Sequence, residues 1–240
     1  MFTDQSAHQI RFEWGEQGLD AIGPGAGAIV VVDVLSFSTC VDIAVSRGAT
    51  VIPYRWRDES AAVFAGERGA ILAEGKRSRG SYSLSPSSLI EIPPGTRLVL
   101  PSPNGAAVSL RAAEMGPTFA ASLRNAPAIS GAIQSGTGPI AVIACGERWP
   151  DGSLRAAWED LVGAGAVISE LPGSKSPEAQ VAEEAFRSAQ GGLPGQLRAC
   201  SSGRELIERG FGVDVDLAAE WGVSQGVPAL WGEGYVAWPG

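Results

Sequence analysis

Five consecutive apolar residues, Ala28-Ile-Val-Val-Val32, run directly into an acid, Asp33, and Val-Leu-Ser36-Phe-Ser38-Thr39 follow at once. The run is short, β-branched and without alternation, the pattern of a strand buried on both faces of a sheet. An acid at its end is costly to bury unless it is paired, hydrogen-bonded or bound to a metal. Ser36, Ser38 and Thr39 stand where the next helix should begin, a place that suits an anion. A carboxylate beside an anion-accepting helix start points to magnesium and phosphate chemistry. The alternative is an acid that only caps a turn.

Strand and helix signals alternate from residue 28 to about 170. Strands are predicted at 28–32, 50–54, 70–73, 97–100, 118–121 and 140–144. Helices are predicted through Val41 to Val45, from an Asp58 cap through Phe64, and over 106–114, 128–134 and 154–171. Pro53 suggests that the last rungs of its strand lie at an edge or a bulge. Residues 75–95, rich in Ser, Gly and Pro, form a long connection of the kind that is usually functional or mobile. After Pro172 the texture changes to helices only, over 177–189, 203–209 and 214–220. The alternation predicts a layered α/β/α architecture with a mostly parallel or mixed sheet and a helical C-terminal part. The chain reads as one unit of 240 residues, or as two fused lobes meeting near residue 125.

A net charge of −8 argues against a nucleic-acid binder or a basic membrane-surface protein, though a local basic pocket can still hold an anion. No apolar stretch approaches membrane-spanning length, and the N-terminus lacks a signal-peptide pattern, so the cytoplasm is expected. Three scattered cysteines (Cys40, Cys145, Cys200) indicate neither a disulfide framework nor a Cys-x-x-Cys metal site. His8 is the single histidine, which excludes multi-histidine zinc sites and any Ser-His-Asp triad that does not use it. Gly222-Val-Ser224-Gln-Gly226 matches the nucleophile-elbow pattern, but no histidine follows it, so Ser224 reads as a loop residue.

Ligands of parallel sheets gather at the carboxyl ends of strands. Here those ends read Asp33-x-x-Ser36-x-Ser38-Thr39, Glu74-Gly75-Lys76-Arg77-Ser78-Arg79, Ser102-Pro-Asn104-Gly105, Ser122-Leu-Arg124-Asn125 and Cys145-Gly146-Glu147-Arg148. Any one could be an ordinary turn; their recurrence favours a site. The basic run at Lys76 and Arg77 suits either a solvated loop or a clamp on an anionic substrate. Glu159 and Asp160 open a predicted helix, where acids favour the dipole or could hold a hard cation with Asp33. Cys-x5-Arg, Asp-x-Asp and phosphate-loop signatures are all absent.

Val-Val-Asp33-Val-Leu-x-x-Ser-Thr, Asn104-Gly105, Cys145-Gly146 and Glu159-Asp160-Leu-x-x-Ala164-Gly165-Ala166 occur here in that order, and Ser-Ser-Gly203-Arg-Glu-Leu-Ile-Glu-Arg-Gly210-Phe-x-x-Asp214-Val follows. In order and spacing they resemble the 2-phosphosulfolactate phosphatases (the ComB family) over roughly residues 28–230. The resemblance implies a magnesium-dependent α/β phosphomonoester hydrolase acting on a small sulfonated phosphate in the route to coenzyme M, and a homodimer. The chain departs from that pattern at Ser36, where the family usually has Arg, and at Glu74-Gly75-Lys76-Arg77. It departs again at 82–88, where Ser83 replaces an acid. Losing an Arg removes a bidentate anion contact that serine cannot replace, and Lys76, Arg77 or Arg79 is expected to compensate.

The candidate catalytic residues are therefore Asp33, Asn104 and Cys145. Candidate substrate contacts are Ser36, Ser38, Thr39, Lys76, Arg77, Gly105 and Arg124, and candidate ligands of Mg2+ are Asp33, Glu147, Glu159 and Asp160. Asp33 is open to two roles, metal ligand or nucleophile. The expected activity is hydrolysis of a small anionic phosphomonoester. The competing reading is a protein that holds such an anion without cleaving it.

Overall fold

The computed structural model describes residues 2–56, 58–74 and 81–240, and in it helices flank one large sheet. The chain enters through β1 (Ile10–Trp14) and α1 (Gly15–Ile22), which the sequence reading left unassigned. Next comes β2 (Ala28–Val32), buried at every residue. Its Ile29 and Val31 join Leu19, Ile22 and Val108 in one apolar layer, while Val30 and Val32 join Ile129, Val162 and Val167 in another. Side chains alternate along a strand, so two apolar faces require the unbroken apolar run seen in the sequence. There follow α2 (Phe37–Ser46), β3 (Thr50–Tyr54), α3 (Ser60–Glu67), β4 (Ile71–Leu72), β5 (Arg97–Pro101) and α4 (Gly105–Ala113). Then come β6 (Thr118–Ala121), α5 (Ala126–Ile133) and β7 (Ile140–Ala144), close to the expected alternation.

Two expectations are corrected. The helix read from residue 154 begins only at Trp158, as α6 (Trp158–Ser169). Leu154–Arg155 is instead a short strand, β9, paired with β8 (Glu147–Arg148). The turn between them is closed locally: Asp151 Oδ1 accepts the Ser153 amide at 2.9 Å, and the Trp149 amide reaches Ser153 O at 2.9 Å. The C-terminal part is also not helical throughout. After α7 (Pro177–Ala189), α8 (Leu193–Ala199), α9 (Ser201–Glu208) and α10 (Gly212–Ala219) comes a hairpin, β10 (Pro228–Trp231) and β11 (Gly234–Ala237). Its turn is Gly232-Glu233, with Gly232 at φ 61°, the left-handed region that two-residue hairpin turns require.

That hairpin sits inside the sheet, whose order is β1-β7-β2-β6-β10-β11-β3-β5-β4. β1, β7, β2 and β6 are mutually parallel, as are β3, β5 and β4. Three antiparallel steps, through β10 and β11, join the sets, so they run in opposite directions. β11 is registered on β3 at Val51, which leaves Pro53 clear of a ladder on that side. Close packing brings α6 to β2: a Cβ on Gly163 would lie 2.5 Å from Val34 Cγ2 and 3.0 Å from Val32 Cγ1. That approach lets the first turn of α6 reach the turn that follows β2. No helix among the described residues is long and apolar enough to cross a membrane.

Candidate active site

Asp33 leaves β2 between two helix starts. Its Oδ1 accepts the Phe37 amide, which opens α2, at 3.0 Å, and its Oδ2 accepts the Gly105 amide, which opens α4, at 3.0 Å. Helix N-termini present unpaired N–H groups and a positive dipole end, so together they stabilise a buried negative charge. Gly105 is required by this contact, because a Cβ there would strike the Phe37 ring and come within 2.7 Å of Asp33 Oδ2. The turn itself is tied by hydroxyls. Ser38 Oγ accepts the Asp33 amide at 3.0 Å and donates to Val31 O at 3.1 Å, while Thr39 Oγ1 donates to Val34 O at 2.7 Å.

Asp160, in the first turn of α6, clamps the same region from the other side. Its Oδ1 accepts the Val34 amide and its Oδ2 the Gly146 amide, each at 2.8 Å, joining the exits of β2 and β7. Burial, with Asp33 and Glu159 nearby, pushes this carboxyl well above the ordinary range. Glu147 lies just beyond β7 and accepts Asn104 Nδ2 at 2.9 Å. Burial, then the charges of Asp33 and Glu159, push its carboxyl up to about 7, against the opposing pull of Arg155 and Asn104. Glu147 can thus exchange a proton near neutrality, as a general acid or base must.

A cleft of about 300 Å³ opens here, lined among others by Asp33, Ser36, Ser102, Asn104, Glu147, Arg148, Arg155, Ser202, Glu205 and Arg209, the last two ion-paired at 3.0 Å. Arg155 is oriented by α9, donating to Ser202 Oγ at 3.1 Å. The ends of β2, β5 and β7 therefore meet, three of the five polar strand ends noted in the sequence, and Asp33, Ser36, Asn104 and Glu147 share one cavity. Gly105 is joined to that cavity through its amide.

Other candidates lie elsewhere. Ser38 and Thr39 are fully buried and spend their hydroxyls within the turn. Arg124 is ion-paired with buried Asp42 at 3.1 Å and with Glu220, and it donates to Leu217 O at 3.1 Å, which ties α2 to α10. Ser122, from the same strand end, is closed on Asn125 Oδ1. Cys145 is buried, and burial with the charges of Asp33 and Asp160 pushes its thiol well up, so it stays protonated. It lines an adjoining cleft with Trp14, Gly15 and Leu154, which shares Asn104, Glu147 and Arg148 with the one beside Asp33. Glu159 is also buried and opens onto a separate depression with Trp158 and Cys200. Lys76 and Arg77 lie outside the described residues.

Arg155 and Arg209 were not singled out from the sequence. Arg155 looked like part of a helix, whereas Arg209 and Ser202 fall in the tail segment that carries the family resemblance. Among the described residues, no three His, Cys, Asp or Glu side chains are arranged around one metal position. The donor chemistry nevertheless suits a hard cation: burial, then the charges of Asp33 and Glu159, raise both Glu147 and Asp160, a concentration of carboxylate that magnesium would relieve.

The family described as 2-phosphosulpholactate phosphatase matches this chain over residues 23–233. A curated relative, the "Probable 2-phosphosulfolactate phosphatase" of Symbiobacterium thermophilum, is 30% identical over 217 residues, which cover 84% of this chain and 90% of that protein.

Proposed function

This chain belongs to the 2-phosphosulfolactate phosphatase family, and we propose that its cleft hydrolyses a small anionic phosphomonoester, 2-phosphosulfolactate or a close relative, to the alcohol and inorganic phosphate. One observation carries the reading: an amide-held Asp33 and a near-neutral Glu147 share a cleft with three arginines.

Arg148, Arg155 and Arg209 would hold the oxygens of the phosphate and of any second acidic group on the substrate. They offer guanidinium where Ser36 replaces the family's usual Arg. Ser102 and Asn104 would orient the phosphate from the β5 side. Hydrolysis breaks the P–O bond to the alcohol and forms one to a water oxygen. Glu147, in its ionised form, would take the proton of the attacking water, and solvent would supply one to the departing alkoxide. Asp33 has both oxygens fixed by amides, which favours a standing negative charge over an attacking nucleophile. Asp33 and Glu147, backed by Glu159 and Asp160, are the groups that would hold Mg2+. A bound magnesium supplies neutralisation of the phosphoryl charge.

The test is phosphate release from a panel of small phosphomonoesters, 2-phosphosulfolactate among them, with magnesium or with chelator. Wild type and Asp33→Asn are compared. Release that needs magnesium and is lost in Asp33→Asn supports the reading. Release that survives both chelator and Asp33→Asn overturns it, and anion binding without release on any panel member makes the protein a binder.

A further inference from the structure

The two residues whose amides hold Asp33 are both linked to one residue of the C-terminal hairpin. Tyr235, on β11, is fully buried, and its hydroxyl donates to Ser109 Oγ at 2.7 Å. Ser109 Oγ in turn donates to the Gly105 carbonyl at 2.6 Å. Gly105 is the residue whose own amide reaches Asp33 Oδ2. On the other side, the Tyr235 ring meets Phe37 edge-on, with centroids 6.2 Å apart and an interplanar angle of 65°. Phe37 supplies the amide for Asp33 Oδ1 and carries the ring against which Gly105 Cα rests.

We propose that Tyr235 is a positioning residue for the phosphatase reaction, holding the Phe37 and Gly105 amides on Asp33 through its ring and its hydroxyl. Glycine has the widest backbone freedom of any residue, so the direction of the Gly105 N–H is set by what pins the rest of that residue. Beside its place at the start of α4 and the Ser102 hydroxyl that shares its N–H at 3.1 Å, the restraints that lead back to Tyr235 are the Phe37 ring beneath Cα and the Ser109 hydroxyl on its carbonyl. The protons balance along the chain, since each hydroxyl donates once and Ser109 also accepts once. Burial pushes the Tyr235 hydroxyl well above its ordinary value, so it remains a donor throughout the working range. The hairpin also lies between the two oppositely directed parallel sets, and β11 pairs β3 at Tyr235 itself.

The inference rests on the hydrolytic reading of the Asp33 cleft, and its test keeps the two apart. Tyr235→Phe retains the ring contact and deletes only the hydroxyl; Ser109→Ala deletes the relay. Two readouts are compared in the full chain: hydrogen exchange of the Gly105 amide, and kcat and KM for phosphate release from the substrate that wild type cleaves. Exchange at Gly105 should rise about tenfold in either variant, and kcat should fall by roughly tenfold with KM unchanged, the ratio that ~1.4 kcal/mol of positioning gives. The double variant should be no worse than either single one, because both act through one path. Unchanged Gly105 exchange overturns the inference, as does a kcat loss that is additive in the double variant. Should Ser109→Ala fail to fold, Ser109→Thr, which keeps the hydroxyl, must restore wild-type exchange. A wild type that cleaves no phosphomonoester refutes the hydrolytic reading, while the exchange result still decides the role of Tyr235.

Discussion

Asn104 and Glu147 meet in the lining of the cleft through one hydrogen bond, Nδ2 to Oε2 at 2.9 Å. It joins the end of β5 to the end of β7. Asn104 stabilises the ionised carboxylate, yet burial and the charges of Asp33 and Glu159 outweigh it and leave the group near 7. The folded protein therefore binds a proton at Glu147 that the unfolded chain, with its ordinary value of 4.5, has already lost. The stability this group contributes is present in full below about pH 4.5 and is lost as pH rises through about 7.

Glu147→Gln removes that penalty and the proton acceptor together. Melting should show the variant level with wild type near pH 4.5, gaining on it as pH rises to about 7 and keeping a constant lead above that. Phosphate release should fall by about 10²–10⁴-fold, the usual contribution of a general acid or base. The limb of the wild-type pH–rate profile near neutrality should vanish. A profile that keeps that limb assigns it to another group.

Gly105→Ala tests the Asp33 cradle. The added methyl must displace the Phe37 ring or Asp33 Oδ2. Overpacking of this kind costs roughly 1–3 kcal/mol. Denaturant unfolding should show a loss in that range, and phosphate release should fall at least tenfold, because the displaced amide is one of the two that hold the carboxylate.

Much of this arrangement was legible from the sequence. β2, β5, β6 and β7 are apolar runs because the sheet is covered on both faces, and Asp33 and Glu147 stand out as acids at their exits. The hairpin at 228–237 was not legible as strand. Its segments are four residues each and carry exposed Trp231, so no long apolar run marks them; the Gly232-Glu233 turn was the available signal. Ser38 and Thr39 show the reverse difficulty. Hydroxyls at a helix start suit an anion, but the same side chains readily bond nearby backbone, and here they do so. Arg155 faces the cleft from β9 and Arg209 from the C-terminal end of α9; nothing local distinguishes Arg155 from other surface arginines, and for Arg209 the tail segment of the resemblance was the available signal.

The arginines divide into two classes with opposite expected signatures. Arg155→Lys and Arg209→Lys lose the fork that matches phosphate oxygens, so KM should rise about tenfold with little change in melting. Arg124→Lys should instead leave KM alone and lower stability by about 1–3 kcal/mol, since buried Asp42 and the Leu217 carbonyl lose their partner. Steady-state kinetics beside a melting curve separates the two. A KM effect at Arg124 would place substrate near α10.

Asp160→Ala would leave the Val34 and Gly146 amides without their acceptor. Each orphaned buried amide costs about 1–3 kcal/mol, less what is regained by removing a carboxyl that burial and Asp33 disfavour. Denaturant unfolding should therefore show a net loss, and Asp160→Asn, which retains one acceptor oxygen, should lose less. Equal losses in the two variants would mean that the two amides do not depend on this side chain.

Magnesium offers a check that needs no substrate. If Asp33 and Glu147 hold the cation, it binds the folded chain alone, and at one hundred times its Kd it should stabilise by about 2.7 kcal/mol. For a chain of this length that is roughly a 5–10 °C rise in Tm. Part of the gain comes from relieving the repulsion that raises Glu147, so magnesium should also release protons near pH 7 in wild type and not in Glu147→Gln. The Tm rise should shrink in Glu147→Gln and in Asp33→Asn. A rise that is undiminished in both variants would move the cation away from the cleft and leave the arginines as the principal neutralising charge on the phosphate.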